Sequence, residues 1–156
     1  MKRTAPRRKA TRPRRKTTSA AARDRRTSAK RKPRARAMIH IKRVYDPPAS
    51  GDGMRILIDR LWPRGLSKAA LKLDLWIKDL APSHALRRWY GHQPERFAEF
   101  RRRYLAELAP LREKLDELRA AVHGRTVTLL TATRELDLSH ATVLRQVLAR
   151  RGRTET

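Results

Sequence analysis

The positive charge of this chain is concentrated at its amino terminus, and this distribution decides where a folded core can form. Residues 1–37 contain 17 Lys and Arg residues against a single acid, Asp24, and no Leu, Ile, Val or Phe. Such a segment cannot bury enough apolar surface to offset the entropy lost on ordering its backbone, and its like charges repel one another. We therefore expect a disordered basic tail over residues 1–37 and a folded domain over residues 38–152.

The cations of the tail predict non-specific binding to a polyanion such as nucleic acid, because each neutralised phosphate releases counterions. The tail contains no aromatic residue, so stacking on bases is not available to it. The candidate nucleic-acid contacts form three basic triplets: Arg7, Arg8, Lys9, Arg14, Arg15, Lys16, Lys30, Arg31 and Lys32. A second interpretation stays open, in which Met38 opens the protein and residues 1–37 are an over-extended gene start.

Several classes of protein find no support in the sequence. The chain has no cysteine, which excludes disulfides and thiolate chemistry. It has no apolar run long enough to span a bilayer or to form a secretory signal. Walker loops, GxGxxG, HExxH and nucleophile-elbow motifs are also missing. We therefore expect a cytoplasmic protein without cofactor, metal or membrane partner, associated with the nucleoid if the tail binds DNA; the sequence leaves the oligomeric state open.

The hydrophobic pattern of the remaining chain predicts an α/β fold: a small mixed sheet of about three strands packed by helices. Strands are predicted over residues 39–45, 54–58 and 126–132, and helices near residues 68–73, 83–89, 94–109, 111–122 and 139–150. The apolar spacing over residues 73–82 predicts a segment that is helical in part. The first two strands should run antiparallel if they pair, because their connection is too short for a helical crossover. The second and third strands should be parallel. The three tryptophans, Trp62, Trp76 and Trp89, have apolar neighbours and are predicted to lie in the core.

Polar residues follow the second and third predicted strands, where ligands collect in open α/β sheets. The candidate ligand-binding residues are Asp59, Arg60, Arg64, Arg134 and Glu135, and the candidate catalytic residues are His92 and His140. Arginine captures carboxylates and phosphates with two hydrogen bonds, and a helix amino terminus near residue 139 adds backbone donors. This pattern predicts an anionic small-molecule ligand. The alternative is that the same charges form ion pairs that tie the loops to the helices.

The folded part resembles the DUF488 family of small bacterial proteins, in its YeaO-like branch. The motifs that carry the resemblance are VYDPP, DGMRILIDRLWPRGLSK, WIKDLAPSHALRRWYGHQPERFAEFRRRY and VTLLTATRELDLSHATVLRQVL, and they cover nearly all of residues 39–148. The characteristic positions of the family fall on Asp59, Arg60, Trp62, Pro63, Arg64, Gly65, Trp76, Pro82, Ser83, Arg87, Trp89, His92 and His140.

The resemblance implies a small α/β domain of bacterial origin and no established reaction. Relatives commonly carry an Asp in the position of Glu135 and a His or Asn around residues 139–140. The Glu in this chain keeps a carboxylate but changes its reach, which puts an Asp-specific role in doubt. The basic tail lies outside the family pattern.

Overall fold

A computed structural model describes residues 36–150, which contain a sheet of four strands. Its strands are β1 (Met38–Arg43), β2 (Met54–Leu57), β3 (Leu75–Trp76) and β4 (Thr126–Thr131), in the spatial order β1-β4-β2-β3. All three pairings are parallel. The tail is predicted to be disordered and to contact nucleic acid. Residues 1–35, which make up almost all of the tail, lie outside the described residues.

The α/β class and the parallel pairing of the second and third predicted strands are confirmed, but the sheet differs in two respects. The first two strands do not pair, because β4 lies between them and is parallel to both. When extended, the connection over residues 44–53 can reach about 33 Å, whereas returning along a short strand takes roughly 20 Å. The connection can therefore join two parallel strands without a crossover helix. The sheet is therefore parallel rather than mixed.

The fourth strand, β3, lies in the segment predicted to be helical in part, and that prediction is wrong for residues 75–76. The structure has a two-residue strand there, followed by one 3₁₀ turn over Lys78–Leu80. Pairing with β2 specifies this strand: the backbone N–H of Asp74 donates to Arg55 O at 2.9 Å, and the Ile77 N–H donates to Leu57 O at 3.0 Å. A tertiary contact, rather than local propensity, thus decides the conformation.

The helices begin and end close to the predicted positions. They are α1 (Lys68–Leu71), α2 (His84–Tyr90), α3 (Phe97–Leu108), α4 (Arg112–Val122) and α5 (His140–Ala149). The Ser67 hydroxyl accepts the Ala70 N–H, and the Ser83 hydroxyl accepts the Leu86 N–H, so both serines cap a helix as expected. Gly91 ends α2 with a left-handed φ of 52°. None of the helices between residues 36 and 150 has the length and apolarity that a membrane crossing requires.

The two faces of the sheet are covered unequally. One face packs Ile56, Ile58 and Leu129 against the apolar sides of α2, α3, α4 and α5. The other face carries a smaller cluster, centred on Leu57 and Leu130, which packs mainly against α1 and the segment around residues 60–66. Parallel sheets are normally covered by helices on both faces. Here a four-residue helix and a loop take that role on the second face.

A buried ion cluster lies on the second face, near the start of β2. The Asp52 carboxylate pairs with Lys42, whose Nζ lies 2.9 Å from Oδ1, and with the Arg55 guanidinium. The Arg55 Nε also donates to Leu71 O at 3.0 Å, which ties α1 to the strand. The Thr128 hydroxyl donates to Asp52 O at 2.7 Å. The cluster therefore joins β1, β2, β4 and α1 through one carboxyl residue.

Candidate functional site

A cavity of about 190 Å³ opens at the carboxyl ends of β2 and β4, on the face covered by the long helices. Its residues come from the loops after both strands, from α2 and α3, and from the start of α5. They are Asp59, Pro82, Arg87, Tyr90, His92, Phe100, Thr131, Ala132, Thr133, Ser139 and His140. The cavity thus occupies the position at which parallel α/β sheets bind ligands.

Asp59 lies in this cavity and is held by three groups. Its carboxylate accepts a hydrogen bond from the Thr131 hydroxyl at 2.7 Å and another from the Ala132 N–H at 2.7 Å. His140 Nε2 lies 3.0 Å from Asp59 Oδ1, and the two side chains are 13% and 12% exposed. His140 Nε2 makes no hydrogen bond of accepted geometry, so this contact is a close approach that becomes an ion pair when the imidazole is protonated.

These contacts control the ionisation of Asp59. Burial by itself would raise the pKa of its carboxyl, because desolvation disfavours the charged form. The contact with His140, the Ala132 N–H and the Thr131 hydroxyl outweigh burial and hold the pKa below its ordinary value of 3.8. Asp59 is therefore an ionised carboxylate at neutral pH.

The amino end of α5 borders the same cavity without a side-chain cap. Ser139 takes the cap position, but its hydroxyl donates to Leu136 O at 2.6 Å instead of accepting from the first turn. The Thr142 hydroxyl donates to the same carbonyl at 2.8 Å, and the Tyr90 hydroxyl donates to Leu138 O at 2.7 Å. These bonds hold the loop before α5, and the amino end of the helix, where the dipole is positive, borders the cavity without a side-chain cap.

Arg87 and His92 form the outer wall of the cavity. The Arg87 side chain is exposed and makes no ion pair with any residue of the described range 36–150. His92 has a φ of 55°, in the left-handed region that a non-glycine residue rarely adopts, and it follows the left-handed Gly91. The His92 Nδ1 lies 3.5 Å from the Thr133 hydroxyl, so this turn places the imidazole against the loop after β4.

The structure separates the sequence-predicted site residues into two groups. Asp59, His92 and His140 lie together in the cavity. Arg60 turns away from it: its Nη2 donates to Ala81 O at 3.0 Å and its Nε donates to Pro82 O at 3.3 Å. The remaining three predicted residues are exposed and are not among the cavity residues: Arg64, Arg134 and Glu135.

Sequence reasoning from spacing missed the arginine that does reach the cavity. Arg87 appeared only through the family resemblance, and the Thr131, Thr133 and Ser139 side chains were not singled out. A usable signal was present: Thr131 is the last residue of a buried strand, at the edge where ligands collect. For Arg87 the spacing gives no such signal, because its direction depends on how α2 packs against the sheet.

The residues around the cavity do not form a metal site of the usual kind. Within residues 36–150, no group of three or more His, Asp or Glu side chains is arranged to hold a metal ion. Aliphatic and aromatic surfaces from Pro82, Tyr90 and Phe100 close the inner side of the cavity. What the arrangement offers chemically is one guanidinium, one helix amino end, hydroxyls, two imidazoles and one hydrogen-bonded carboxylate.

The fold and the cavity define a small parallel α/β domain with one polar crevice at the carboxyl edge of its sheet. The chain belongs to the DUF488 family: residues 38–156 match the family model described as the inactive DUF488-N3 subclade.

The chain is similar to two uncharacterized bacterial proteins. One, from Mycobacterium tuberculosis, is 47% identical over 110 residues, which is 70% of this chain and 92% of the relative. The other, YeaO of Escherichia coli, is 43% identical over 106 residues, which is 68% of this chain and 92% of the relative. A comparison with solved structures finds no significant match.

Proposed function

We propose that the folded domain binds a small anionic ligand in the cavity beside α5 and does so without catalysing a reaction. The observation that carries the proposal is the electrostatic balance of the cavity. Its one lining carboxylate among the described residues, Asp59, is already occupied by the Thr131 hydroxyl, the Ala132 N–H and the close contact with His140. Arg87 and the uncapped amino end of α5 remain to receive negative charge.

The volume of the cavity limits the size of the ligand. A cavity of about 190 Å³ is smaller than the roughly 300 Å³ at which pockets begin to hold drug-sized molecules. A water molecule takes about 30 Å³ of liquid, so the space corresponds to about six waters. Inorganic phosphate or a small carboxylate fits within this space.

Binding is favoured over turnover by the state of Asp59. A general base works best when its pKa lies near the working pH, and the pKa of Asp59 is held below its ordinary value of 3.8. Both carboxylate oxygens also have partners in the protein: Oδ1 contacts Thr131 and His140, and Oδ2 accepts from Ala132. The description of the matching subclade as inactive agrees with this interpretation.

The test is titration calorimetry of the full chain with inorganic phosphate and with acetate, comparing Arg87→Gln with Arg88→Gln. Arg88 is the next residue of α2, is equally exposed and does not line the cavity. Loss of a charge-assisted hydrogen bond should weaken binding roughly ten- to hundredfold in Arg87→Gln and leave the control unchanged. Absence of binding by the wild-type chain, or equal affinity of the two variants, would refute the proposal.

A second candidate function rests on the charge of residues 1–37, which is independent of the cavity. In this proposal the tail binds nucleic acid non-specifically. The test replaces Arg7, Arg8, Lys9, Arg14, Arg15 and Lys16 by Gln and measures duplex DNA binding across a salt series. The slope of log K against log salt should become shallower by up to about 5, because each phosphate contact contributes about 0.9. An unchanged slope would contradict it.

A further inference from the structure

Exposed aromatic side chains border the thinly covered second face of the sheet. Trp76 was predicted to lie in the core, but it is 39% exposed, because β3 is a two-residue strand at the sheet edge with no element beyond it in the described range 36–150. Tyr45 is 47% exposed and Leu61 is 59% exposed. Large apolar side chains that are exposed close to one another mark an interaction surface.

The loop over residues 59–66 contacts both Trp76 and Tyr45. The Trp76 Nε1 donates to Asp59 O at 2.7 Å, and the Trp76 and Trp62 rings meet edge to face with centroids 5.4 Å apart. At the other end of the loop, the Tyr45 hydroxyl donates to Arg64 O at 3.3 Å. We call the residues Tyr45, Arg64, Trp62 and Trp76 the aromatic row.

The aromatic row runs across the whole width of the sheet. Tyr45 follows β1 and Trp76 ends β3, and these strands lie at opposite edges of the sheet. Three strand intervals of about 4.8 Å separate the two edges by about 14 Å. The row is therefore long enough to contact several consecutive units of an extended polymer.

Cations accompany the rings along this row. The Arg43 guanidinium lies 5.4 Å from the centre of the Tyr45 ring, and the Lys78 ammonium lies 5.4 Å from the centre of the Trp76 ring. Arg64 adds an exposed guanidinium. None of these three cations is within ion-pair distance of a carboxylate among residues 36–150.

We propose that the aromatic row binds single-stranded nucleic acid through its folded surface, separately from the cavity. Charge complementarity selects an anionic occupant and argues against both the basic tail and a second copy of the chain. Flat rings beside cations match the alternation of bases and phosphates, and bases expose their faces only when they are unpaired. The 17 cations within residues 1–37 favour the same kind of polyanion.

The test measures binding of a labelled oligo(dT) of about 15 nucleotides to the full chain and to Trp76→Leu and Trp76→Phe. Leucine keeps apolar bulk but removes the ring, whereas phenylalanine retains a stacking face. We expect Trp76→Leu to weaken binding roughly five- to hundredfold and Trp76→Phe to retain most of the affinity. Arg64→Gln removes no described side-chain contact and should make the slope of log K against log salt shallower by about 0.7. Arg88→Gln should leave that slope unchanged.

Two results would overturn the inference. If Trp76→Leu, Trp76→Phe and Arg64→Gln all bind like wild type while the Gln-substituted tail loses affinity, nucleic acid binds through the tail alone. If poly-glutamate binds as well as oligo(dT) and is equally sensitive to Trp76→Leu, the row instead receives an acidic protein segment. Anion binding in the cavity is measured with phosphate and Arg87→Gln, so its failure is seen separately.

Discussion

The contact between Asp59 and His140 makes a direct prediction about what holds the crevice together. Asp59→Asn keeps the shape of the side chain but removes its charge. One amide oxygen can still accept from the Ala132 N–H, which donates to Oδ2 at 2.7 Å. The amide nitrogen then stands where Oδ1 accepted from Thr131 and lay 3.0 Å from His140. The substitution therefore removes one hydrogen bond and the negative charge that faces His140.

The expected cost follows from the burial of the pair. Both side chains are less than 15% exposed, since Asp59 is 12% and His140 is 13% exposed, so solvent screening is weak. Hydrogen bonds to charged groups contribute about 1.5–3 kcal/mol. We therefore expect Asp59→Asn to lower the free energy of unfolding by about 2 kcal/mol at pH 7. For a domain of this size that corresponds to a fall in Tm of roughly 8 °C.

The pH dependence of this cost has a defined sign. The folded-state pKa of Asp59 lies below its ordinary value of 3.8, so its stabilisation is fully present above that pH. It is lost as the pH falls through the lower folded-state pKa, and the Asn variant lacks this part of the acid sensitivity. Thermal unfolding of wild type and variant from pH 7 to pH 3 should show the Tm difference narrowing towards acid.

The matched experiment is a double-mutant cycle with His140→Gln, which measures the coupling between the two residues. We expect the double variant to lose clearly less free energy of unfolding than the two single variants lose together. A higher Tm for Asp59→Asn than for wild type would refute the reasoning, because the carboxylate would then be a destabilising group kept for another purpose.

Further predictions concern residues away from the cavity. Arg60→Ala should lower the Tm by several degrees, because its guanidinium bonds two carbonyls, whereas Arg64→Ala should leave the Tm unchanged in the same thermal scan. Gly53→Ala should destabilise by several kcal/mol in urea unfolding, since its Cβ would lie 2.1 Å from a backbone oxygen, whereas Gly65→Ala meets no atom within 4 Å and should cost about 1 kcal/mol. Asp52→Asn should cost about 3–5 kcal/mol in the same assay, because the buried Arg55 and the half-buried Lys42 lose their anion.

Local signals in the sequence predicted the helices well. Ser67 and Ser83 cap helices, Gly91 ends one, and α3 and α4 occupy the segments with apolar residues at helical spacing. These features act within a few residues of the chain, so the sequence carries them directly. The position of β3 and the placement of β4 between β1 and β2 were not predicted, because pairing between distant segments decides them.

The candidate site shows the same division. The edge of the sheet was predictable, and Asp59 and His140 were identified because they follow the ends of buried strands. The choice among arginines was not predictable from spacing: Arg60 bonds Ala81 O and Pro82 O, whereas Arg87 reaches the cavity from α2. A side chain of this length takes its direction from whichever acceptors the packed structure brings near it.

The sequence by itself determined where the basic residues concentrate, the α/β class and the ends of most helices. Composition and local periodicity act without any knowledge of distant contacts, which is why these properties are readable along the chain. The tertiary structure alone decided the strand order, the pairing of Asp59 with His140 and the exposure of Trp76. Each of these depends on which segments lie side by side after folding, and that arrangement turns scattered charges and rings into a crevice and a surface.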